Sequence, residues 1–229
     1  MRTAGIVGGL GPETTSQFYL EIVFSCFQTN KIARPPLLIW SIPLEYQIES
    51  DLITKAQGEE RYIPYLADAA KRLESGGADF IVIPCNSVHI FIEDVRRSVK
   101  IPVLSIIEET AKFLKEKNID NVGLLATKST IEKKIYQNLL AENNIRITLP
   151  DDADQARIGT LINNLVLNRY DDKDRGELLK IIQALGDKGP KNIVLACTDL
   201  QLLTPKHDSV AIYDSMEILA KATVREILK

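Results

Sequence analysis

Residues 79–89, DFIVIPCNSVH, and residues 192–201, NIVLACTDLQ, decide the fold of this chain. Each opens on a short apolar run rich in β-branched residues, the pattern of a strand buried on both faces in a parallel sheet. Each run ends at a cysteine, Cys85 or Cys197. Each cysteine precedes small polar residues suited to capping a helix, Asn86 and Ser87 in one case, Thr198 and Asp199 in the other. A thiol between a strand's carboxyl end and a helix's amino end lies where open α/β sheets bind ligands. Helix N–H groups at that place are expected to lower the thiol's pKa. One such thiol suggests a nucleophile; two suggest a pair of bases facing one substrate.

Working outward, apolar strands alternate with helical patterns along the whole chain. Strands are expected near 4–8, 37–42, 79–84, 101–104, 121–126, 145–148, 192–196 and 209–212. Helices are expected near 13–28, 59–75, 87–98, 105–117, 129–143, 154–168, 175–187 and 214–228. That order implies parallel sheets of βαβ units. It also repeats. TAGIVGGLGPETT (3–15) resembles NVGLLATKSTIEK (121–133), the two cysteine segments resemble each other, and VKIPVLSIIEETAKFL (99–114) resembles DSVAIYDSMEILAKAT (208–223). An α/β fold of two similar half-domains, each a parallel sheet flanked by helices, follows. A pseudo-twofold between them would set Cys85 and Cys197 across a shared active-site cleft. The division expected is residues 1–100 with 207–229 as the first half, carrying Cys85, and residues 101–206 as the second, carrying Cys197.

Bulk properties exclude several classes. The chain has 229 residues, 45% of them hydrophobic, enough for substantial cores. A net charge of −3 and a pI near 5.6 give no electrostatic reason to bind nucleic acid or an anionic membrane. No apolar run reaches transmembrane length, and glycines interrupt what would be a signal core. Three cysteines make no disulfide framework, so a cytoplasmic location is expected. No metal-ligand spacing is present. The turn GGLGPE (8–13) is not a dinucleotide fingerprint, because the glycine spacing is wrong and Glu13 would oppose a pyrophosphate. It reads as a tight turn beneath the substrate, with Pro12 opening the helix and Thr14 and Thr15 able to offer hydroxyls.

GIVGGLGPETT, PCNSVH, IPVLSIIEETA, GLLATKST and ACTDL, in that order, resemble the aspartate/glutamate racemase family, the two-cysteine amino-acid racemases that work without pyridoxal phosphate. The resemblance spans essentially the whole chain. Against the usual CNT-x-H and GCTE, Ser87 replaces Thr, Ala196 replaces Gly and Asp199 replaces Glu. It implies catalytic Cys85 and Cys197, no cofactor, no metal, a small amino-acid substrate and a homodimer. It further implies that Asn86, Ser87, Thr127 and Thr198 line the site, with Asp199 close by.

Racemisation needs an acid/base group on each face of Cα, and a thiol with a reference pKa of about 8.5 suits that task near neutrality. Two residues that would hold a distal carboxylate in aspartate racemases are replaced here by Ile48 and Leu167. Lys128 is the candidate substitute cation, and aspartate or a related amino acid the expected substrate. A one-thiol lyase or isomerase, or a silent amino-acid-binding protein, are the alternatives. Cys26 reads as core, His89 as either an orienting group or a satisfied core histidine, and His207 as surface.

Overall fold

The computed structural model describes residues 1–48, 51, 58–203 and 205–229. The first half runs β1 (Ala4–Gly8), α1 (Pro12–Thr29), β2 (Leu37–Ser41), α2 (Ile63–Ser75), β3 (Phe80–Val82), α3 (Ile92–Ser98), β4 (Val103–Leu104) and α4 (Ile106–Glu116). The second runs β5 (Asn121–Ala126), α5 (Lys128–Glu132), α6 (Gln137–Glu142), β6 (Arg146–Thr148), α7 (Asp152–Val166), α8 (Asp172–Asp187), β7 (Asn192–Ala196), β8 (Ala211–Asp214) and α9 (Ser215–Ile227). Short 3₁₀ turns precede α2 and α3 and follow β7.

Two four-stranded parallel sheets result, ordered β2-β1-β3-β4 and β6-β5-β7-β8. The orders are equivalent, so the sequence repeat is a structural one. The aligned glycines show why. A Cβ on Gly5 would come within 2.9 Å of Ala78 Cβ and 3.1 Å of Leu73 Cβ, and one on Gly123 within 2.5 Å of Ile193 and 2.7 Å of Leu185. In both halves the strand carries glycine where an outer helix, α2 or α8, presses onto the sheet.

One apolar layer joins the sheets. Ile6, Phe80 and Val82 of the first sheet and Val122, Leu124 and Val194 of the second belong to a single buried cluster. Phe18, Ile22 and Cys26 of α1, Ile106 and Leu114 of α4, and Met216, Leu219 and Val224 of α9 complete it. Separate clusters cover the outer face of each sheet. The amphipathic stripes on these helices therefore face two sheets at once, and α9 packs against both α1 and α4.

The structure corrects the expected division of the chain at the level of strands. β4 pairs with β3 and β8 pairs with β7. The strand near 101–104 thus belongs to the first sheet and that near 209–212 to the second, the reverse of the expected assignment. Each follows its neighbour through a helical or loop crossover that returns it beside the strand it left, as parallel topology favours. The helix expected over 129–143 is broken into α5 and α6 by a turn in which Lys134 has φ 53°. The helix expected over 87–98 begins as a 3₁₀ turn, Ser87–Phe91.

Candidate active site

The loops after β1, β3, β5 and β7, the two central strands of each sheet, converge on one cleft. About 520 Å³ of space lies between its walls when the opening to solvent is counted in. Cys85, Asn86, Ser87, Thr127, Cys197, Thr198 and Asp199 line it, with Leu10, Gly11, Tyr62, Val88, Ile162, Val166 and Ala196. Both cysteines thus face the same space from topological switch points of different sheets.

The loop after β1 is closed by its own side chains. Gly9, at φ 86°, donates its N–H to Thr15 Oγ1 at 2.9 Å, and the Thr15 hydroxyl donates to the Gly11 carbonyl at 2.9 Å. A Cβ on Gly8 would meet Thr15 Cγ2 at 2.6 Å, so the strand must end in glycine here. Thr14 is fully buried, and its hydroxyl donates across the cleft to Asp199 Oδ1 at 2.7 Å. Thr14 is not among the lining residues, and Thr15 is used up in the turn.

Asn86 differs from the expected cap. Its side chain caps nothing; Oδ1 accepts from the Tyr136 hydroxyl at 2.6 Å and Nδ2 donates to Ser215 Oγ at 3.1 Å. Thr127 does cap, accepting the Thr130 N–H at 3.2 Å at the start of α5. His89 is buried and bridges two loops. Its Nε2 accepts the Ile106 N–H at 3.1 Å, which leaves Nδ1 to donate to the Cys85 carbonyl at 2.7 Å. Burial pushes its pKa down to about 4, so the ring is neutral.

The thiols have unlike partners at like positions. Cys85 Sγ lies 3.6 Å from the Ser87 hydroxyl, and Cys197 Sγ donates toward Asp199 Oδ2 at 3.7 Å. The expectation of lowered thiol pKa values is overturned. Burial pushes the Cys85 thiol up to about 11, outweighing the Ser87 hydroxyl and the Ser87 and Val88 N–H groups. Cys197 is held well above the ordinary thiol range by burial and then by the Asp199 carboxylate. The elements after the cysteines are 3₁₀ turns of four or five residues, which supply little macrodipole. Burial raises the Asp199 carboxyl as well, against the hydrogen bonds from Thr14 and Cys197.

Lys128 does not join the site. Its side chain is exposed and pairs with Glu132 at 3.6 Å on the outer surface of α5. Ile48 is buried in the outer cluster of the first sheet, and Leu167 is about half exposed at the end of α7. The apolar wall comes instead from Ile162 and Val166 on α7, with Leu10, Tyr62 and Val88 opposite. Ile162 and Val166 are four residues apart on α7, a spacing that shares one helix face. Their reach into the cleft depends on how α7 docks and is not written in that spacing. Among the described residues no lysine, arginine or histidine lines the cleft, and no cluster of His, Cys, Asp or Glu could hold a metal ion.

Residues 7–223 match the model of the family described as Asp/Glu/Hydantoin racemase. The chain is 30% identical over 236 residues to the broad specificity amino-acid racemase RacX of Bacillus subtilis (strain 168), across 98% of this chain and 97% of that protein. The crystal structure of an aspartate racemase homologue from Pyrococcus horikoshii OT3 superposes with a TM-score of 0.80 at 27% identity, covering 100% of both chains. The Picrophilus torridus aspartate racemase gives a TM-score of 0.84 at 24% identity over 100% of this chain and 95% of that one, a likeness of fold.

The raised thiol pKa has a direct chemical readout. Alkylation of Cys85 in the free protein by iodoacetamide should climb roughly tenfold per pH unit from about pH 7 to about pH 10 without levelling, because only the thiolate reacts. Mass spectrometry of the peptide carrying Cys85 measures it, and a plateau below pH 8 would contradict the burial argument.

Proposed function

Because the chain belongs to the Asp/Glu/Hydantoin racemase family and is on that ground an isomerase, we propose that it interconverts the enantiomers of a free amino acid through Cys85 and Cys197, without cofactor or metal. The observation that carries this reading is that both thiols line one cleft from equivalent positions of two equivalent sheets. One thiolate removes the Cα proton and becomes a thiol; the opposite thiol gives its proton to the other face and becomes the thiolate. No net proton is gained or lost, and the two cysteines exchange roles with the direction of reaction. Donors in the loops at Asn86, Ser87, Thr127 and Thr198 hold the substrate carboxylate and the charge that develops on it.

The buried thiols need help to ionise, and the substrate can bring it. Holding the Cys85 pKa at about 11 disfavours its thiolate by roughly 3 kcal/mol relative to an ordinary thiol. A substrate ammonium about 4 Å from sulfur offsets roughly 4 kcal/mol at an effective dielectric near 20. In the empty cleft the Cys197 thiol keeps its proton and donates it in a hydrogen bond toward Asp199 Oδ2. The thiolate therefore forms as the amino acid binds.

Replacing Cys85 or Cys197 by Ser keeps volume and removes one acid/base group. Racemisation should fall by about two to four orders of magnitude, the range expected for a lost proton-transfer group, while folding survives. Each variant keeps α-proton exchange of one enantiomer, with opposite preference in the two, as read by NMR in D₂O. Full racemase activity in either variant would end the two-base reading.

Aspartate or a related amino acid is the substrate class expected from the resemblance, and the wall of Leu10, Tyr62, Val88, Ile162 and Val166 favours its uncharged members. A distal carboxylate against that wall would give up hydration without a cationic partner among the described lining residues. Chiral chromatography over a panel of single enantiomers should rank neutral side chains above aspartate and glutamate. The reverse ranking would return the substrate to the acidic class.

We also assign a homodimer and a cytoplasmic location. Phe24 and Phe27 on α1 are about 60% exposed and line one surface hollow with Ile32; a second copy covers this face. Free cysteines throughout suit a reducing compartment. Sedimentation equilibrium should give a dimer for the native protein and a monomer for Phe27→Glu; a dimer in both would move the interface elsewhere.

A further inference from the structure

Beneath the cleft, inside the apolar layer that joins the sheets, lies a chain of buried polar groups with a single direction. The Tyr136 hydroxyl donates to Asn86 Oδ1, the Asn86 amide donates through Nδ2 to Ser215 Oγ, and the Ser215 hydroxyl donates to the Leu195 carbonyl, at 2.6, 3.1 and 2.8 Å. Tyr136 and Ser215 are fully buried and Asn86 nearly so. Asn86 directly follows Cys85, and Leu195 stands two residues before Cys197 on β7. The three side chains come from the loop after β3, the turn between α5 and α6, and the first residue of α9.

We propose that Tyr136, Asn86 and Ser215 form a positioning bridge that fixes the separation of Cys85 and Cys197 across the cleft. Apolar contact is non-directional, so the surrounding layer holds the halves together while tolerating small slides. The bridge does not tolerate them. The Tyr136 and Ser215 hydroxyls and one amide hydrogen of Asn86 are committed along the chain, and a slide that lengthens a link weakens a hydrogen bond between buried groups. Tyr136 anchors the chain from the second half, and the Leu195 carbonyl ends it in the second sheet, so Asn86 is gripped from two sides. The inference rests on the two-thiol reading above, because only a reaction that uses both thiols on one substrate depends on their spacing.

Tyr136→Phe and Ser215→Ala each remove one hydroxyl and keep nearly all the packing. Misplacing one reacting group by a fraction of an ångström to an ångström should lower kcat for inversion about ten- to a hundredfold in both directions, with KM nearly unchanged. The distinguishing readout is the ratio of Cα–H exchange without inversion to inversion, measured in D₂O on the best substrate of the panel. The thiol that takes the proton still meets the substrate, while the opposite thiol delivers late, so this ratio rises in both variants. Thr223→Val, which removes a buried hydroxyl of α9 bonded to Leu219 and outside the bridge, keeps the wild-type ratio. Circular dichroism and melting curves confirm that each variant is folded at the assay temperature; where only one folds, its ratio decides. A wild-type ratio in the folded variants overturns the bridge. Full racemisation by the cysteine variants overturns the two-thiol reading itself, and the bridge with it.

Discussion

The constraint on which the rest depends is that two separate sheets share one buried layer. Each sheet could bury its outer face alone, with the clusters around α2 and α3 on one side and α7 and α8 on the other. Neither could bury its inner face alone. α1, α4 and α9 lie between the sheets and are apolar toward both, so the halves are welded with their carboxyl edges on one side. Only that arrangement lets a thiol after β3 and a thiol after β7 open onto the same 520 Å³ of space. The chemistry is a consequence of how the inner faces are covered.

Burial that makes the layer also makes the site electrostatically reluctant. Cys85, Cys197 and Asp199 all have their charged forms disfavoured by desolvation as the leading cause. A site that kept a free thiolate in the empty cleft would need a resident cation, and the described lining residues include none. The same dry surroundings strengthen every interaction with a substrate ammonium once it enters. Under the proposed two-thiol mechanism, ionisation and substrate binding would become one event, leaving no reactive thiolate without substrate.

Much of this was legible in the sequence, and the parts that were not share a cause. Strand positions, the repeat and the shared cleft of Cys85 and Cys197 follow from local pattern, because a strand's end and the residue after it are fixed by the chain itself, while the lining roles of Asn86, Ser87, Thr127 and Thr198 were implied by the family resemblance. Lys128 was misread because adjacency to a lining residue says nothing of direction; one step into a helix from Thr127 turns its side chain to solvent. Ile162 and Val166 were missed because α7 reaches the cleft only through its docking on the second sheet. Asn86 was read as a cap since its neighbours in sequence suit one, while its partners, Tyr136 and Ser215, lie 50 and 129 residues away. Contacts set by tertiary docking leave no short-range signal.

The repeat is imperfect at one informative place. Two residues beyond each cysteine stand Ser87 and Asp199, a hydroxyl in one half and a carboxyl in the other. The cleft is therefore symmetric in scaffold and asymmetric in the partners of its thiols, with a hydroxyl beside Cys85 and a carboxyl beside Cys197 that adds to burial in holding that thiol protonated. For a racemase this asymmetry is bounded by thermodynamics. Enantiomers have equal free energies in water, so kcat/KM must be the same in both directions whatever the enzyme does. A difference between the thiols can change only how each enantiomer's kcat and KM are divided, by setting which protonation state of the pair the empty enzyme rests in. On that reading, a resting state with Cys85 as the thiolate would favour binding of the enantiomer whose Cα–H faces it. Under the two-thiol mechanism proposed above, Asp199 would bias which hand of the amino acid the enzyme holds and leave the equilibrium between the hands untouched.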